Sequence, residues 1–149
     1  TLYKRIENLG LKLIKKRIPQ IINGTAFHIN QDENRASILP QRFPEDGLIN
    51  WKLNSIEIYN FVRAQTKPYP GAFTKFKNNY LKVWQVKIIT KAMKNKLLPG
   101  NILYIHNKTI IKTYDGLVEI TKATLNGKNI NNIKLSKILR TKKIYKFES

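Results

Sequence analysis

A chain of 149 residues, 42% of them hydrophobic, is long enough for one domain or one and a half and can supply a buried core. The lack of cysteine excludes disulfides, thiol chemistry and cysteine-based metal sites, and no apolar run reaches the ~18 residues of a transmembrane helix. The 28 Lys and Arg residues outnumber the 9 Asp and Glu residues and give a net charge of +19. We therefore expect a protein of the reducing cytoplasm, without a membrane span, that attracts polyanions.

The positive charge has two interpretations. One is a dedicated surface for a nucleic acid or another polyanion. The other is base composition, because nearly all the basic residues are Lys and they accompany many Asn and Ile residues, as in proteins of AT-rich genomes. Only six arginines occur, although bidentate phosphate recognition favours arginine. Composition leaves both interpretations open and favours the second.

Apolar residues recur at spacings of three and four near the start of the chain, at Leu2, Ile6, Leu9 and Leu13. This spacing predicts an amphipathic helix over the first eighteen residues. Pro19 suits the first position of a further helical turn, and Asn23-Gly24 is a natural stop because both residues tolerate left-handed conformations. Residues 25–39 are irregular and polar, which predicts a connector.

Two turn-rich segments follow, on either side of a short predicted helix. The first reads Arg42-Phe43-Pro44-Glu45-Asp46-Gly47-Leu48-Ile49-Asn50-Trp51, and the second runs from Arg63 to Phe73 through Pro68-Tyr69-Pro70-Gly71. Between them, Asn54 and Glu57 have the spacing of a capping box, which predicts a helix start. We expect this helix to end near Gln65, because Pro68 disfavours helix at the residue before it.

After Gly71 the apolar period changes to two, which predicts a hairpin of residues 73–76 and 80–89 around Asn78-Asn79, with a bulge between Val83 and Trp84. Further strands are predicted at residues 102–106, 109–113 and 117–124. The turns between these later strands are predicted at Asn107-Lys108 and Asp115-Gly116, and Asn126-Gly127 ends the last strand. Short strands at this spacing predict a small barrel within an α+β fold. Residues 135–139 then predict a closing helix, and residues 142–149 a loose tail.

The two turn-rich segments resemble the hinge region of the folate-dependent formyltransferases, a family that includes methionyl-tRNA formyltransferase and enzymes that N-formylate nucleotide-linked amino sugars. The matching patterns are Pro40-Gln41-Arg42-x-Pro44-x-Asp46 and Arg63-Ala64-x-x-x-Pro68-Tyr69-Pro70-Gly71-Ala72. The resemblance implies that residues 1–39 are the terminal helix and exit segment of a catalytic domain. It also implies a linker with a short helix at 40–72 and, at 73–149, an open β-barrel resembling an OB-fold.

The resemblance further implies transfer of a formyl group from 10-formyltetrahydrofolate to a primary amine. The family's catalytic Asn, His and Asp lie on a preceding domain, and no Asn-x-His with that context occurs here; Ser37-Ile38-Leu39-Pro40 only superficially resembles the catalytic loop. The sequence also begins at Thr1 rather than Met. We therefore expect a C-terminal portion without catalytic residues or a bound cofactor. Its partners would be the absent catalytic domain, with a nucleotide-linked sugar or tRNA as substrate; a homodimer is left open.

The same resemblance nominates three substrate-proximal residues, Arg42, Arg63 and Tyr69. Arg42 has an equally weighted alternative, a salt bridge to Glu45 or Asp46. Trp51 and Tyr69 have the chemistry to stack on a base or a pterin, but Trp51 is better interpreted as an anchor of the linker against the β domain. The residues expected to form the structural hinge are Pro44, Gly47, Trp51, Pro68, Pro70 and Gly71.

Three lysines interleaved with Tyr80, Trp84 and Tyr104 form a candidate polyanion face, namely Lys82, Lys87 and Lys108. The same texture arises when strand aromatics fill a core and lysines protect strand edges, and that alternative is favoured. His28 and His106 lie far apart without carboxylates at metal-ligand spacing, so we expect neither a metal site nor a catalytic histidine.

Overall fold

The computed structural model describes residues 2–89 and 97–147. The chain divides into two units, Thr1–Pro40 and Gln41–Ser149. In the first unit, helix α1 spans Leu2–Ile22 and continues through Pro19 without a break. It ends at Asn23-Gly24, where Gly24 has a φ of +67°. No residue of α1 is buried, and its apolar stripe is exposed, so the amphipathic pattern does not contribute to a core within this unit.

The predicted connector is confirmed as irregular chain with one 3₁₀ turn at Glu33–Arg35. Asp32 caps this turn by accepting a hydrogen bond from the backbone N–H of Asn34 at 3.1 Å. The Asp32 carboxylate also lies 3.4 Å from the guanidinium of Arg35, and both side chains are exposed. Local caps of this kind hold a turn without a hydrophobic core.

The second unit begins with the turn-rich segment and helix α2, Ser55–Ala64. The predicted capping box is confirmed: Asn54 Oδ1 accepts from the Glu57 N–H at 2.9 Å, and Glu57 Oε2 accepts from the Asn54 N–H at 3.0 Å. Ile58 and Val62 of α2 are fully buried against the sheet. Helix α2 therefore closes one side of the core, as its apolar spacing predicts.

Among the described residues of this unit, one antiparallel sheet contains six strands. The strands are β1 (Ala72–Phe76), β2 (Asn79–Ile89), β3 (Ile102–Ile105), β4 (Lys108–Lys112), β5 (Leu117–Leu125) and β6 (Lys128–Asn131). Their order is β1-β2-β5-β4-β3, and β6 also pairs with β5. β2 runs along the whole of β5, while β4 and β6 pair with the first and last parts of β5. β5 is therefore the central strand of the sheet, because it pairs with β2, β4 and β6.

The fold is α+β with an open sheet, as expected. Within the described ranges no strand pairing joins β1 to β3, so the closure of an OB-type barrel stays a prediction. The predicted bulge is confirmed, because the register of β2 against β5 shifts between Val83 and Gln85. A bulge reverses the side-chain phase of a strand. It lets Val83 and Val86 both face the core.

Three sequence-based turn positions were wrong. The β1–β2 turn is formed by Lys77-Asn78 rather than Asn78-Asn79, because Asn79 already belongs to β2 and pairs with Phe76. The β3–β4 turn is formed by His106-Asn107, one residue earlier than predicted, because these two residues take the consecutive positive φ values, 47° and 60°, of a tight hairpin turn. Asn126-Gly127 does not end the sheet but forms a second such turn, with φ values of 49° and 75°, leading into β6. β6 was missed because it is short and Ile130 is its only buried residue.

Helix α3 spans Asn132–Thr141 and begins three residues earlier than the predicted closing helix, with Asn131 as its N-cap.

The tail after α3 is ordered rather than loose, at least through residue 147. Ile144 and Phe147 are 4% and 1% exposed, and the Phe147 N–H donates to the Gly100 carbonyl at 3.0 Å. The Tyr104 hydroxyl donates to the Ile144 carbonyl, and burial raises the pKa of Tyr104 to about 12. The prediction of a loose tail failed because Ile144 and Phe147, the two buried residues, stand among lysines and form no periodic pattern.

A polar contact joins the start of α2 to the turn between β4 and β5. Asp115 Oδ1 accepts from the backbone N–H of Ser55 at 2.8 Å, from the Ser55 hydroxyl at 2.9 Å and from the Thr113 hydroxyl at 3.2 Å. Ser55 and Thr113 are buried, and their hydroxyls lie 2.8 Å apart. The backbone N–H of Ser55, followed by these hydroxyls, holds the pKa of Asp115 below its ordinary value.

Replacement of Asp115 by alanine should lower the free energy of unfolding at pH 7 by about 1–2 kcal/mol, since Ser55 and Thr113 lose a charged acceptor. The folded pKa of Asp115 is below its ordinary 3.8, so the stabilisation is complete above that value and is lost as pH falls through the folded pKa. Denaturant unfolding at pH 7 and at about pH 2 measures the difference. Glu45→Ala, at an exposed carboxylate, serves as the control. An Asp115 effect of equal size at both pH values would contradict the assignment.

Candidate functional site

The two turn-rich segments meet in the structure. Residues Pro44–Gly47 form a 3₁₀ turn, which Asp46 closes by accepting from the Phe43 N–H at 2.8 Å. A Cβ atom on Gly47 would lie 3.0 Å from the carbonyl oxygen of Gly71. The Ile49 N–H then donates to the Phe73 carbonyl at 2.8 Å, and Leu48 forms a parallel bridge with Phe73. The first segment therefore lies along the edge of β1.

Trp51 fixes this arrangement from inside. Its side chain is fully buried, its indole Nε1–H donates to the Thr74 hydroxyl at 2.9 Å, and its ring stacks on Phe147 with centroids 5.9 Å apart. Burial of the whole ring leaves no face for a base or a pterin. The contacts fit the interpretation of Trp51 as an anchor between linker and sheet.

Gly71 brings the second segment against the sheet. It follows the turn containing Pro68, whose peptide bond is cis, and Pro70, and has a φ of +95°. A Cβ atom on Gly71 would lie 2.7 Å from Cζ3 of the Trp84 ring. Two constraints favour glycine at this position. The backbone is in the left-handed region, and the indole of Trp84 leaves no room for a side chain.

The three predicted substrate-proximal residues are placed differently from one another. Arg42 is exposed and makes no ion pair or hydrogen bond with any residue that the structure describes, so the alternative pairing with Glu45 or Asp46 is not observed. Arg63 lies on α2, where it donates to Asn60 Oδ1 at 3.1 Å and lies 5.6 Å from the Tyr59 ring centroid. Tyr69 is 52% exposed. Their contacts with a substrate stay predictions.

Two lysines of the candidate polyanion face, Lys87 and Lys108, lie near Glu119, and the third, Lys82, lies elsewhere on the sheet. Lys108 Nζ lies 3.3 Å from Glu119 Oε2, and Lys87 is the register partner of Glu119. Lys82 lies near the other end of β2, opposite Thr124. A carboxylate beside two of the three lysines weakens their attraction for an anion. The use of this face stays a prediction.

Tyr80, Lys82 and Trp84, which the candidate polyanion face already included, belong to a larger basic and aromatic surface of the sheet. Phe73 and Tyr80 meet edge to face with centroids 5.7 Å apart, and Lys75 Nζ lies 5.6 Å from the Tyr80 centroid. Lys67 Nζ lies 5.7 Å from the centroid of Trp84. Sequence reasoning overlooked Lys67 and Lys75, because they become neighbours of these rings only through the Pro68–Gly71 turn and the hairpin register. The alternation of Tyr80, Lys82 and Trp84 is the only sequence signal for this surface.

Two cavities open on this surface. One, of about 500 Å³, lies between the Pro44–Gly47 turn and the outer face of the β1–β2 hairpin; it is lined by Pro70, Phe73, Tyr80 and Lys82, among others. The second, of about 370 Å³, is lined by Thr66, Lys67, Trp84, Lys122, Ala123, Asn129 and Ile130. Gly71 lines the first cavity and Trp84 lines the second, and the two residues approach each other closely.

The two histidines lie outside both turn-rich segments. His28 lies in the connector and His106 in the β3–β4 turn. Residues 2–89 and 97–147 hold no group of three or more His, Asp or Glu side chains arranged to bind a metal ion. Among the helices in these ranges, none combines the length and apolar character of a membrane span.

A sequence model described as the formyl transferase C-terminal domain matches residues 42–140. The chain belongs to this family. The match includes both turn-rich segments, α2, all six strands and most of α3. It confirms the resemblance stated from the hinge motifs, and it extends through the strands that the sequence supported only by their pattern.

Curated relatives cover nearly the whole chain. The chain is 34% identical over 139 residues to the bifunctional polymyxin resistance protein ArnA of Wigglesworthia glossinidia brevipalpis, covering 89% of the chain and 21% of that protein. It is 29% identical to methionyl-tRNA formyltransferase of Blochmanniella pennsylvanica, covering 90% of the chain and 43% of the relative. The corresponding enzyme of Natranaerobius thermophilus is 33% identical, over 85% of the chain and 41% of the relative. The chain thus spans less than half the length of each.

Solved structures support the fold. HypX variants from Aquifex aeolicus superpose with TM-scores of 0.58 and 0.59 at 17% and 18% identity, covering 87% of this chain and 23% of HypX. HypX in complex with tetrahydrofolic acid gives 0.55 at 16% identity, over 83% of this chain and 22% of HypX. At such identities the likeness shows the fold alone.

Gly71→Ala should destabilise the second unit more than Gly127→Ala. Both glycines have a positive φ, but a Cβ on Gly127 meets nothing within 4 Å, whereas one on Gly71 meets Trp84 at 2.7 Å. We expect a loss of about 1 kcal/mol for Gly127→Ala from backbone strain alone and about 3 kcal/mol for Gly71→Ala, where the indole must also shift. Thermal or urea unfolding measures both. Equal losses would show that the contact of Gly71 with Trp84 is not a constraint.

Proposed function

We propose that this chain is the C-terminal region of a formyltransferase that moves a formyl group from 10-formyltetrahydrofolate to a primary amine. The observation that carries the proposal is the family match over residues 42–140, which contains both hinge segments. The partial coverage of every curated relative is consistent with a preceding catalytic domain as the chain's partner. The superposition on HypX, one structure of which holds tetrahydrofolic acid, is consistent with a folate-dependent parent.

In the proposed parent reaction the amine attacks the formyl carbon, and the bond from that carbon to the folate nitrogen breaks to release tetrahydrofolate. A catalytic His and Asp act as general acid and base, and an Asn stabilises the oxyanion. These residues belong to the preceding domain in our proposal. This chain contributes the hinge, in which Trp51 anchors the linker and the Gly47 and Gly71 turns lie against each other. Arg42 and Tyr69 are exposed, and in our proposal they contact the substrate. We place the parent enzyme in the cytoplasm.

For the acceptor we propose the amine of a nucleotide-linked amino sugar. The support is in two hinge sequences, Gln41-Arg42-Phe43-Pro44-Glu45-Asp46-Gly47 and Pro70-Gly71-Ala72-Phe73, which resemble the sugar-modifying members of the family more than the tRNA-modifying ones. The rival acceptor is tRNA, which is favoured by the net charge of +19 and by two relatives that are methionyl-tRNA formyltransferases. A stand-alone polyanion-binding module is a third alternative, supported by the charge alone.

The 149-residue chain alone should transfer no formyl group above the uncatalysed rate, because it holds no constellation that activates a nucleophile. The assay supplies 10-formyltetrahydrofolate with aminosugar nucleotides or methionyl-tRNA and follows tetrahydrofolate release. The gene product that includes any upstream catalytic half is the positive arm, and it should formylate the sugar nucleotide. Transfer by the isolated chain would overturn the placement of catalysis elsewhere. Inactivity of the longer product towards every primary amine would overturn the formyltransferase proposal.

The acceptor proposal makes a separate prediction about RNA. If the acceptor is a sugar, tRNA and a random RNA of equal length should bind this chain with affinities within about threefold of each other and should weaken together as salt rises. If the acceptor is tRNA, a preference of at least about tenfold should survive 150 mM salt. Filter binding with Lys82→Glu as the sheet variant and Lys15→Glu as the matched helix control separates the cases. A tRNA preference that only Lys82→Glu abolishes would overturn the sugar assignment.

A further inference from the structure

The 370 Å³ cavity beside Trp84 combines three kinds of group that proteins use to bind nucleotides. Trp84 supplies an aromatic ring that is only partly buried, Lys67 and Lys122 supply two ammonium groups, and Asn129 supplies an amide. The volume lies within the range of small-ligand sites, about 300–1,000 Å³. None of the residues that line this cavity in the described chain is acidic.

The positive charges of the cavity favour the binding of an anion. Lys67 and Lys122 lie on one concave surface, and neither has a carboxylate partner within residues 2–89 and 97–147. Two like charges beside a low-dielectric wall create a positive potential that an anion relieves. Lys108, by contrast, is paired with Glu119 outside this cavity. Phosphate is the anion that the chemistry suggests, since a flexible ammonium group binds it as a point charge.

The aromatic part of the cavity is held in place. The Trp84 Nε1–H donates to the Thr124 hydroxyl at 2.7 Å, and that hydroxyl donates to Asn129 Oδ1 at 2.8 Å. This chain of hydrogen bonds fixes the indole and leaves the Asn129 amide nitrogen without an acceptor in the part of the chain that the structure describes. Lys67 Nζ lies 5.7 Å from the centroid of the Trp84 ring, so a flexible side chain covers one face of this partly buried indole. A planar base can take the place of the ammonium group, which then moves to a phosphate.

We propose that this cavity is a nucleotide-binding site, in which a base stacks on Trp84 beside the Asn129 amide and a phosphate lies between Lys67 and Lys122. The ligand is either a free nucleoside phosphate or one nucleotide of an RNA strand, and both present the same base and phosphate to these residues. The proposal is independent of formyl transfer, because it uses no catalytic group and no folate.

The fluorescence of Trp84 reports on the site directly. The chain has two tryptophans, and Trp51 is fully buried, so quenching by an added ligand arises at Trp84. Adenosine and uridine 5′-diphosphates, inorganic pyrophosphate and a twelve-residue oligouridylate are titrated into the 149-residue chain. We expect saturable quenching by the nucleotides or by the oligouridylate, and at least about tenfold weaker binding of pyrophosphate, which has no base to stack.

The variant Lys67→Gln with Lys122→Gln should weaken nucleotide binding at least about tenfold. The matched control is Lys134→Gln with Lys137→Gln, which removes the same charge from two exposed lysines outside the cavity and should change affinity less than about threefold. Near-ultraviolet circular dichroism verifies that both double variants keep the fold. Isothermal titration of Trp84→Leu, which removes the aromatic ring, gives a second readout and should show loss of the difference between nucleotide and pyrophosphate.

The outcomes are separable. Stronger binding of diphosphates than of oligouridylate assigns a free nucleotide as the ligand, and the reverse assigns a nucleotide within RNA. If both double variants lose the same affinity for nucleotide, the binding is a general attraction of polyanions to positive charge, and the proposal is overturned. Binding of pyrophosphate as tight as that of the nucleotides, or no saturation by any nucleotide or oligonucleotide, would overturn it as well. None of these results bears on formyl transfer, which is measured with a different ligand.

Discussion

The burial of Trp51 is the constraint on which the second unit depends. Its indole is hydrogen-bonded to Thr74 of β1 and stacked on Phe147, so one side chain joins the linker, the first strand and the last described residue of the chain. A buried N–H without a partner costs more than its hydrogen bond contributes, which makes Thr74 part of the same requirement. The Gly47 and Gly71 turns interlock beside this contact, and α2 packs against β2 nearby.

The local elements could be predicted from the sequence because each has its own signal. Asn54 and Glu57 marked the start of α2, and the change to a period of two after Gly71 marked the hairpin of β1 and β2. The bulge was visible as a phase shift at Val83 and Trp84. The chain belongs to the family that its hinge motifs indicated. Signals of this kind depend on neighbours in sequence, and they are reliable where propensity and fold agree.

The features that the sequence did not reveal depend on contacts between distant residues. β6 carries one buried residue, Ile130, and its pairing with β5 follows from the Asn126-Gly127 turn rather than from its own composition. The tail is ordered because Phe147 fills space next to Trp51, nearly a hundred residues earlier. The cavity beside Trp84 assembles residues from the linker, β2, β5 and β6, so no single stretch of sequence could show it. The candidate site was therefore predicted only in its aromatic and basic character, and its members were mostly missed.

The stacking of Phe147 on Trp51 has a consequence for synthesis on the ribosome. Chains emerge from the amino end, and contacts between residues far apart in sequence form late. Trp51, β1 and β2 leave the exit tunnel long before Phe147, and until then the indole lacks the ring that covers it. The core of the second unit therefore cannot be completed strand by strand during translation, because it requires Phe147. Its nascent form exposes an unfinished apolar surface to chaperones until the last part of the unit has been translated.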